Sequence, residues 1–121
     1  MINNESKHVY DLEERTYIFA KNVRGFIKKL PQTIANHEDG KQVVRSSGSV
    51  GANYIEANEA LSKKDFLMRV KICRKESKES AFFLRLIIET NNPEIYKDGR
   101  SLFDEANQLV KIFSAIIEKS K

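Results

Sequence analysis

A chain of 121 residues can bury one sizeable core but not two, so residues 1–121 read as a single domain. With 40% hydrophobic and 31% charged residues, two prolines and five glycines, the composition suits a mostly helical globule. The formal charge of +4 permits contact with polyanions without requiring it, and one cysteine, Cys73, excludes an internal disulfide framework and fits a reducing compartment as a small core residue.

The first residues, MINNESKHVYDLEE, lack the basic start, apolar stretch and cleavage site of a signal peptide, and no apolar run approaches the length of a membrane span. A cytoplasmic protein with no membrane partner is expected. Between Asp11 and Leu30 the residues Leu12, Phe19, Val23, Phe26 and Leu30 form a helical stripe, which Pro31 ends. Asn36 with Asp39 resembles a capping pair for a second helix, whose stripe runs Val43, Ser47, Val50, Tyr54, Ala57 and Leu61. Ser62 with Asp65 offers the next cap. From there Phe66, Val70, Cys73, Ser77, Ser80, Leu84 and Ile87 alternate in steps of four and three, the best-defined helix of the chain. Asn92 and Pro93 stop it and offer a new start. Ser101 and Asp104 then read as the cap of a fourth stripe, Leu102, Ala106, Leu109, Phe113 and Ile116. No alternating strand pattern occurs. Four helices with short connections imply an all-α, antiparallel up-down four-helix bundle.

The second helix contains RSSGSVGANYIEANEA, residues 45–60, where glycine and serine replace the expected leucines. Helix-interior glycine costs about 1 kcal/mol relative to alanine, so close approach of another helix is the expected compensation. The spacing of GSVG fits neither a P-loop nor a dinucleotide fingerprint. Glu56, Glu59, Glu76 and Glu79 suggest a metal site, but the di-iron pattern needs Glu-x-x-His on two helices, and neither His8 nor His37 completes one. No metal or cofactor is expected. If buried, Asn53 and Glu56 need hydrogen-bonding partners, and a buried pair reaching a basic residue on a neighbouring helix is anticipated. The serines stand beside no base in a motif, and Tyr54 reads as a packed ring with one hydrogen bond, so no enzyme is expected.

The basic excess lies in residues 62–91, with eight Lys and Arg against four Asp and Glu. Lys64, Lys71, Lys78 and Arg85 recur every seven residues, with Arg74 and Lys75 beside them, and could follow a nucleic-acid backbone. The same pattern also describes an ordinary solvated helix face. Met68, Ile72, Phe82 and Leu86 lie off the core line and call for a second partner, for which a homo-oligomeric ring is the expected solution.

Residues 43–80 resemble the 23S rRNA intervening-sequence proteins, also called the four helix bundle protein family. The resemblance rests on an Arg-Ser pair, a serine-rich helical turn, Asn-x-x-Glu and a polar step to Asp-Phe, then an amphipathic helix with Ser-x-Glu. Arg45, Ser46, Asn53, Glu56, Asp65, Phe66 and Glu79 are the matching positions, and Ala57 departs from the glycine of many members. The resemblance implies an up-down bundle assembling as a homopentamer with no established catalytic activity. A similar bundle serves diversity-generating retroelements as a basic pentamer associated with nucleic acid and a reverse transcriptase. The resulting expectation is a non-catalytic, ring-forming adaptor that contacts RNA or DNA through the third helix. The alternative is a structural module whose ring binds another protein and no nucleic acid.

Overall fold

A computed structural model describes the backbone of residues 4–121 and the side chains from Leu12 onward; His8 therefore lies outside the side chains described. Among the described residues there are four α-helices and no strands: α1 (Asn4–Lys28), α2 (Ile34–Asn58), α3 (Lys63–Thr90) and α4 (Tyr96–Lys119). A short 3-10 turn over Pro93–Ile95 leads into α4. Each helix packs against its neighbours in the chain, and α1 also meets α4.

The expected stripes supply the core. Phe19, Val23, Val43, Val50, Val70, Cys73, Leu84, Ile87, Leu109 and Phe113 are all buried, with Tyr54 tilted against Phe113 at 5.9 Å between ring centroids. Burial pushes the Tyr54 phenol up, against a hydrogen bond with Asn58. Ion pairs brace the bundle away from its axis. Arg15 on α1 holds Glu105 on α4 through two bonds of 2.8 Å, a bidentate geometry that fixes the two helices in register.

Several helix ends differ from the expectation. Thr33, not Asn36, caps α2: its hydroxyl accepts the Asn36 backbone N–H at 3.1 Å. The Asn36 side chain instead turns inward and exchanges two 2.8 Å amide hydrogen bonds with Asn91 at the end of α3. Helix α2 stops at Asn58, so Leu61 falls in the turn and is 98% exposed rather than core. Ser62 does cap α3, accepting from the Asp65 N–H at 3.1 Å. Ser101 and Asp104 do not cap α4, which begins five residues earlier at Tyr96 and runs through Gly99. There α4 lies so close to its neighbours that a Cβ would meet Ile88 of α3 at 2.6 Å and Phe26 of α1 at 3.0 Å. At the far end Ile117 is buried in preference to Ile116, which packs partly exposed at the core's edge.

Candidate functional site

The chemistry-bearing residues fall into two groups, the seam where α2 meets α3 and the outward face of α3. At the seam, the adjacent Arg45 and Ser46 and, two turns on from Ser46, Asn53 make contacts with α3. Ser46 and Ser80 are fully buried and share a hydrogen bond of 2.8 Å, while Ser80 also donates to the Glu76 carbonyl at 2.9 Å. Two small hydroxyl residues thus let the helices close together without leaving a polar atom unpaired, and no buried side-chain polar atom among the described residues lacks a partner. Cys73 donates its thiol to the Val50 carbonyl at 3.3 Å across the same seam. Burial pushes that thiol up to about 12, which fits the packing role expected of it.

Arg45 reaches across to two carboxylates, Glu76 at 3.4 Å and Glu79 in closer contact. The hydrogen bond to Glu79 is the main influence holding the Arg45 guanidinium protonated. Glu76 is buried, and desolvation followed by the neighbouring Glu79 carboxylate pushes it above the usual carboxylate range, against the pull of Arg45 and Lys75. The family pattern names Glu79 but not Glu76, which shares the Arg45 contact; its place one turn before Ser80, facing α2, is the signal that could have identified it.

Asn53 accepts from Arg69 of α3 at 3.0 Å and donates to the Ser49 carbonyl at 2.9 Å, so it does pair with a basic residue on the neighbouring helix. Glu56 does not join it. Three residues on, Glu56 has turned out of the seam and is exposed, so the expected buried Asn53–Glu56 pair is absent. Glu59 is exposed as well, leaving the four glutamates apart: two at the seam holding Arg45 and two facing solvent.

The glycine-serine stretch lies wholly within α2. A Cβ at Gly51 would approach the Thr16 hydroxyl of α1 to 3.1 Å, so close helix packing accounts for that residue. No strand precedes the stretch among the described residues, and its backbone N–H groups are committed to the helix rather than directed at a phosphate.

On α3 the side chains turn by about 100° per residue, which puts the cationic and apolar candidates on one outward face. Lys64, Lys71, Lys75 and Lys78 are exposed and make no ion pair among the described residues. Arg85 is exposed but paired with Glu89 at 3.0 Å, and Arg74 is half-buried. Met68, Phe82 and Leu86 are 49%, 59% and 37% exposed, with Ile72 half-buried. The two sets occupy adjoining strips of that face. Met68, Ile72 and Leu86 lean toward the α2 side, where Glu76 and Glu79 meet Arg45, whereas Lys71, Lys78 and Arg85 lean toward the α4 side. Phe82 sits between them, edge-on to Phe83 at 5.2 Å.

Comparison with known proteins bears on this arrangement. A solved structure of a protein of unknown function from the S23 ribosomal protein family of Bacteroides thetaiotaomicron VPI-5482 is 28% identical to this chain. The alignment covers 87% of this chain and 96% of that one, with a TM-score of 0.73. No curated protein matches. The family model described as 23S rRNA-intervening sequence protein matches residues 10–115, which take in α2 and α3 whole and most of α1 and α4. Because that match spans most of the folded chain and includes the Arg45, Ser46, Asn53 and Glu79 contacts, the protein belongs to the 23S rRNA-intervening sequence protein family.

Proposed function

We propose that this protein is a non-catalytic, ring-forming scaffold of the cytoplasm that binds RNA or DNA through the cationic side of α3. In this reading the helices run up and down in antiparallel order, and copies associate through the apolar side of the same helix. The number five for the ring comes from the family resemblance. The observation that carries the reading is the pairing, on one exposed face, of four lysines that make no ion pair among the described residues and three large apolar side chains in solvent. Apolar surface of that kind favours a protein interface, and a run of exposed lysines beside it favours a polyanion. Asp65 and Ser62 contribute by fixing where α3 begins, and hence the phase of both stripes.

A protein-partner module without nucleic-acid binding is the second reading, favoured by the exposure of Phe82 and Met68. Salt separates the two. Phosphate contacts release counterions, so affinity falls steeply with added salt, while an apolar interface responds little. Lys71→Glu with Lys78→Glu should abolish binding of a labelled RNA or DNA in a filter or anisotropy assay. Wild-type affinity in that double variant would exclude the α3 face.

A further inference from the structure

The geometry points to a second phosphate-binding surface, a groove between α1 and α2 that takes the backbone of double-stranded RNA or DNA. It rests on the nucleic-acid reading above and adds to it a different contact surface. Arg24 of α1 lies across α2, donating Nη1–H to the Ala20 carbonyl at 2.9 Å and Nη2–H to the Val44 carbonyl at 3.3 Å. Both acceptors are backbone carbonyls, which fix the guanidinium without neutralising it. Arg24 makes no ion pair among the described residues, and three of its five N–H donors remain for a ligand. A planar cation held in place with spare donors is suited to a phosphate oxygen pair.

Gly48 makes this posture possible. A Cβ there would stand 3.1 Å from Arg24 Nη2, the tip of that side chain being its one contact within 4 Å among the described residues outside α2's own backbone. The first glycine of GSVG thus has a role different from Gly51: it leaves room for a cation to cross the helix rather than for a helix to pack.

The groove around Arg24 is lined by Lys41, Gln42, Arg45, Gly48 and Ser49, with no carboxylate in its lining among the described residues. Arg45 is already neutralised by Glu76 and Glu79, so its share of the charge is spent. Toward the α1–α2 turn the groove continues, through the shared residues Lys41 and Val44, into a depression that adds Lys28 and His37 and one acid, Glu38. Lys28 and Lys41 are exposed and, like Arg24, make no ion pair among the described residues. From His37 to Ala52 the groove follows α2 for roughly 20 Å at 1.5 Å per residue, room for several phosphates.

Among the described residues no phenylalanine, tyrosine or tryptophan lines either part, and His37 is the one ring there. Single-strand binders rely on bases stacking on aromatic rings, whereas duplexes are held by backbone contacts that need only fixed cations and polar donors. The expected ligand is therefore a duplex, held with little sequence preference.

The test is fluorescence anisotropy with a labelled 20-base-pair RNA duplex and, separately, one of its strands, across a salt series. Wild type, Arg24→Gln/Lys41→Gln, Gly48→Ala and Lys71→Glu/Lys78→Glu are compared. The groove double variant should bind the duplex at least about tenfold more weakly, with the log–log salt slope reduced by roughly 2. Gly48→Ala, which changes no charge and displaces only a flexible side-chain tip, should weaken duplex binding about threefold while leaving the circular dichroism spectrum unchanged. Wild-type duplex affinity in both groove variants, with loss in the α3 variant, would overturn the groove and leave the nucleic-acid reading standing. Equal affinity for the single strand and the duplex would overturn the duplex assignment. Failure of the wild-type protein to bind either probe at low salt would remove the nucleic-acid reading and the groove with it.

Discussion

Replacing Gly99 by alanine should destabilise the protein, although alanine is the better helix former. The helix-propensity gain is about 1 kcal/mol. Against it stands the new methyl group, which would lie 2.6 Å from Ile88 Cγ1, 3.0 Å from Phe26 Cζ and 3.3 Å from Ile88 Cδ1. The nearest of these is the methylene bonded directly to the branched Cβ of a buried side chain and not a flexible tip, so α4 must move away from α3 or Ile88 must leave its rotamer. Overpacking costs about 1–3 kcal/mol, and an approach of 2.6 Å belongs in the upper part of that range, about 2–3 kcal/mol, for a net loss of about 1–2 kcal/mol. The control is Gly25→Ala on the exposed side of α1, where nothing lies within 4 Å and the backbone is not left-handed. That variant should gain about 0.5–1 kcal/mol. Thermal melts by circular dichroism at one protein concentration should therefore move in opposite directions, down by roughly 4–8 °C for Gly99→Ala and up by roughly 2–4 °C for Gly25→Ala. Equal melting temperatures for Gly99→Ala and wild type would refute the claim that α4 runs continuously through residue 99 against Ile88 and Phe26.

Asn36→Ala breaks the reciprocal amide pair and strands the Asn91 side-chain oxygen at the end of α3, so urea titration should show a loss of about 1–3 kcal/mol. Glu76 is pushed above the usual carboxylate range by burial and by Glu79, so the folded state holds its proton more tightly than the unfolded chain does. The associated stability is fully present below the ordinary glutamate range and is lost as pH rises through the raised folded value. Glu76→Gln should accordingly flatten that stretch of the stability–pH curve, and an unchanged slope would contradict the assignment. Cys73, buried and with its thiol pushed up to about 12, should resist iodoacetamide at pH 8 in the folded protein and react fully in urea.

The third helix was almost entirely legible from its residues, because its core positions alternate without a break from Val70 to Ile87 and its cap, Ser62, lies immediately before it. The beginning of α4 was not. Lys-Asp-Gly-Arg reads locally as a turn, and only the approach of Ile88 and Phe26, residues distant in sequence, explains why a glycine there sits inside a helix. Asn36 misled for the same reason: its partner Asn91 lies 55 residues away and turns a good capping residue into a tertiary contact. Glu56 follows Asn53, which does enter the seam, by three residues, but that step falls about 60° short of a full turn, and Glu56 is exposed. Arg24 and Lys41 belong to no single stripe, and they come together only once α1 and α2 are packed side by side.

Light-scattering mass of the purified protein tests the central claim most directly, measured alone and with duplex RNA at low and at moderate salt. The account predicts one discrete species at a multiple of the 13.9 kDa chain mass, which gains mass with RNA at low salt and sheds it as salt is raised. A 13.9 kDa monomer whose mass is unaffected by RNA at either salt would contradict it.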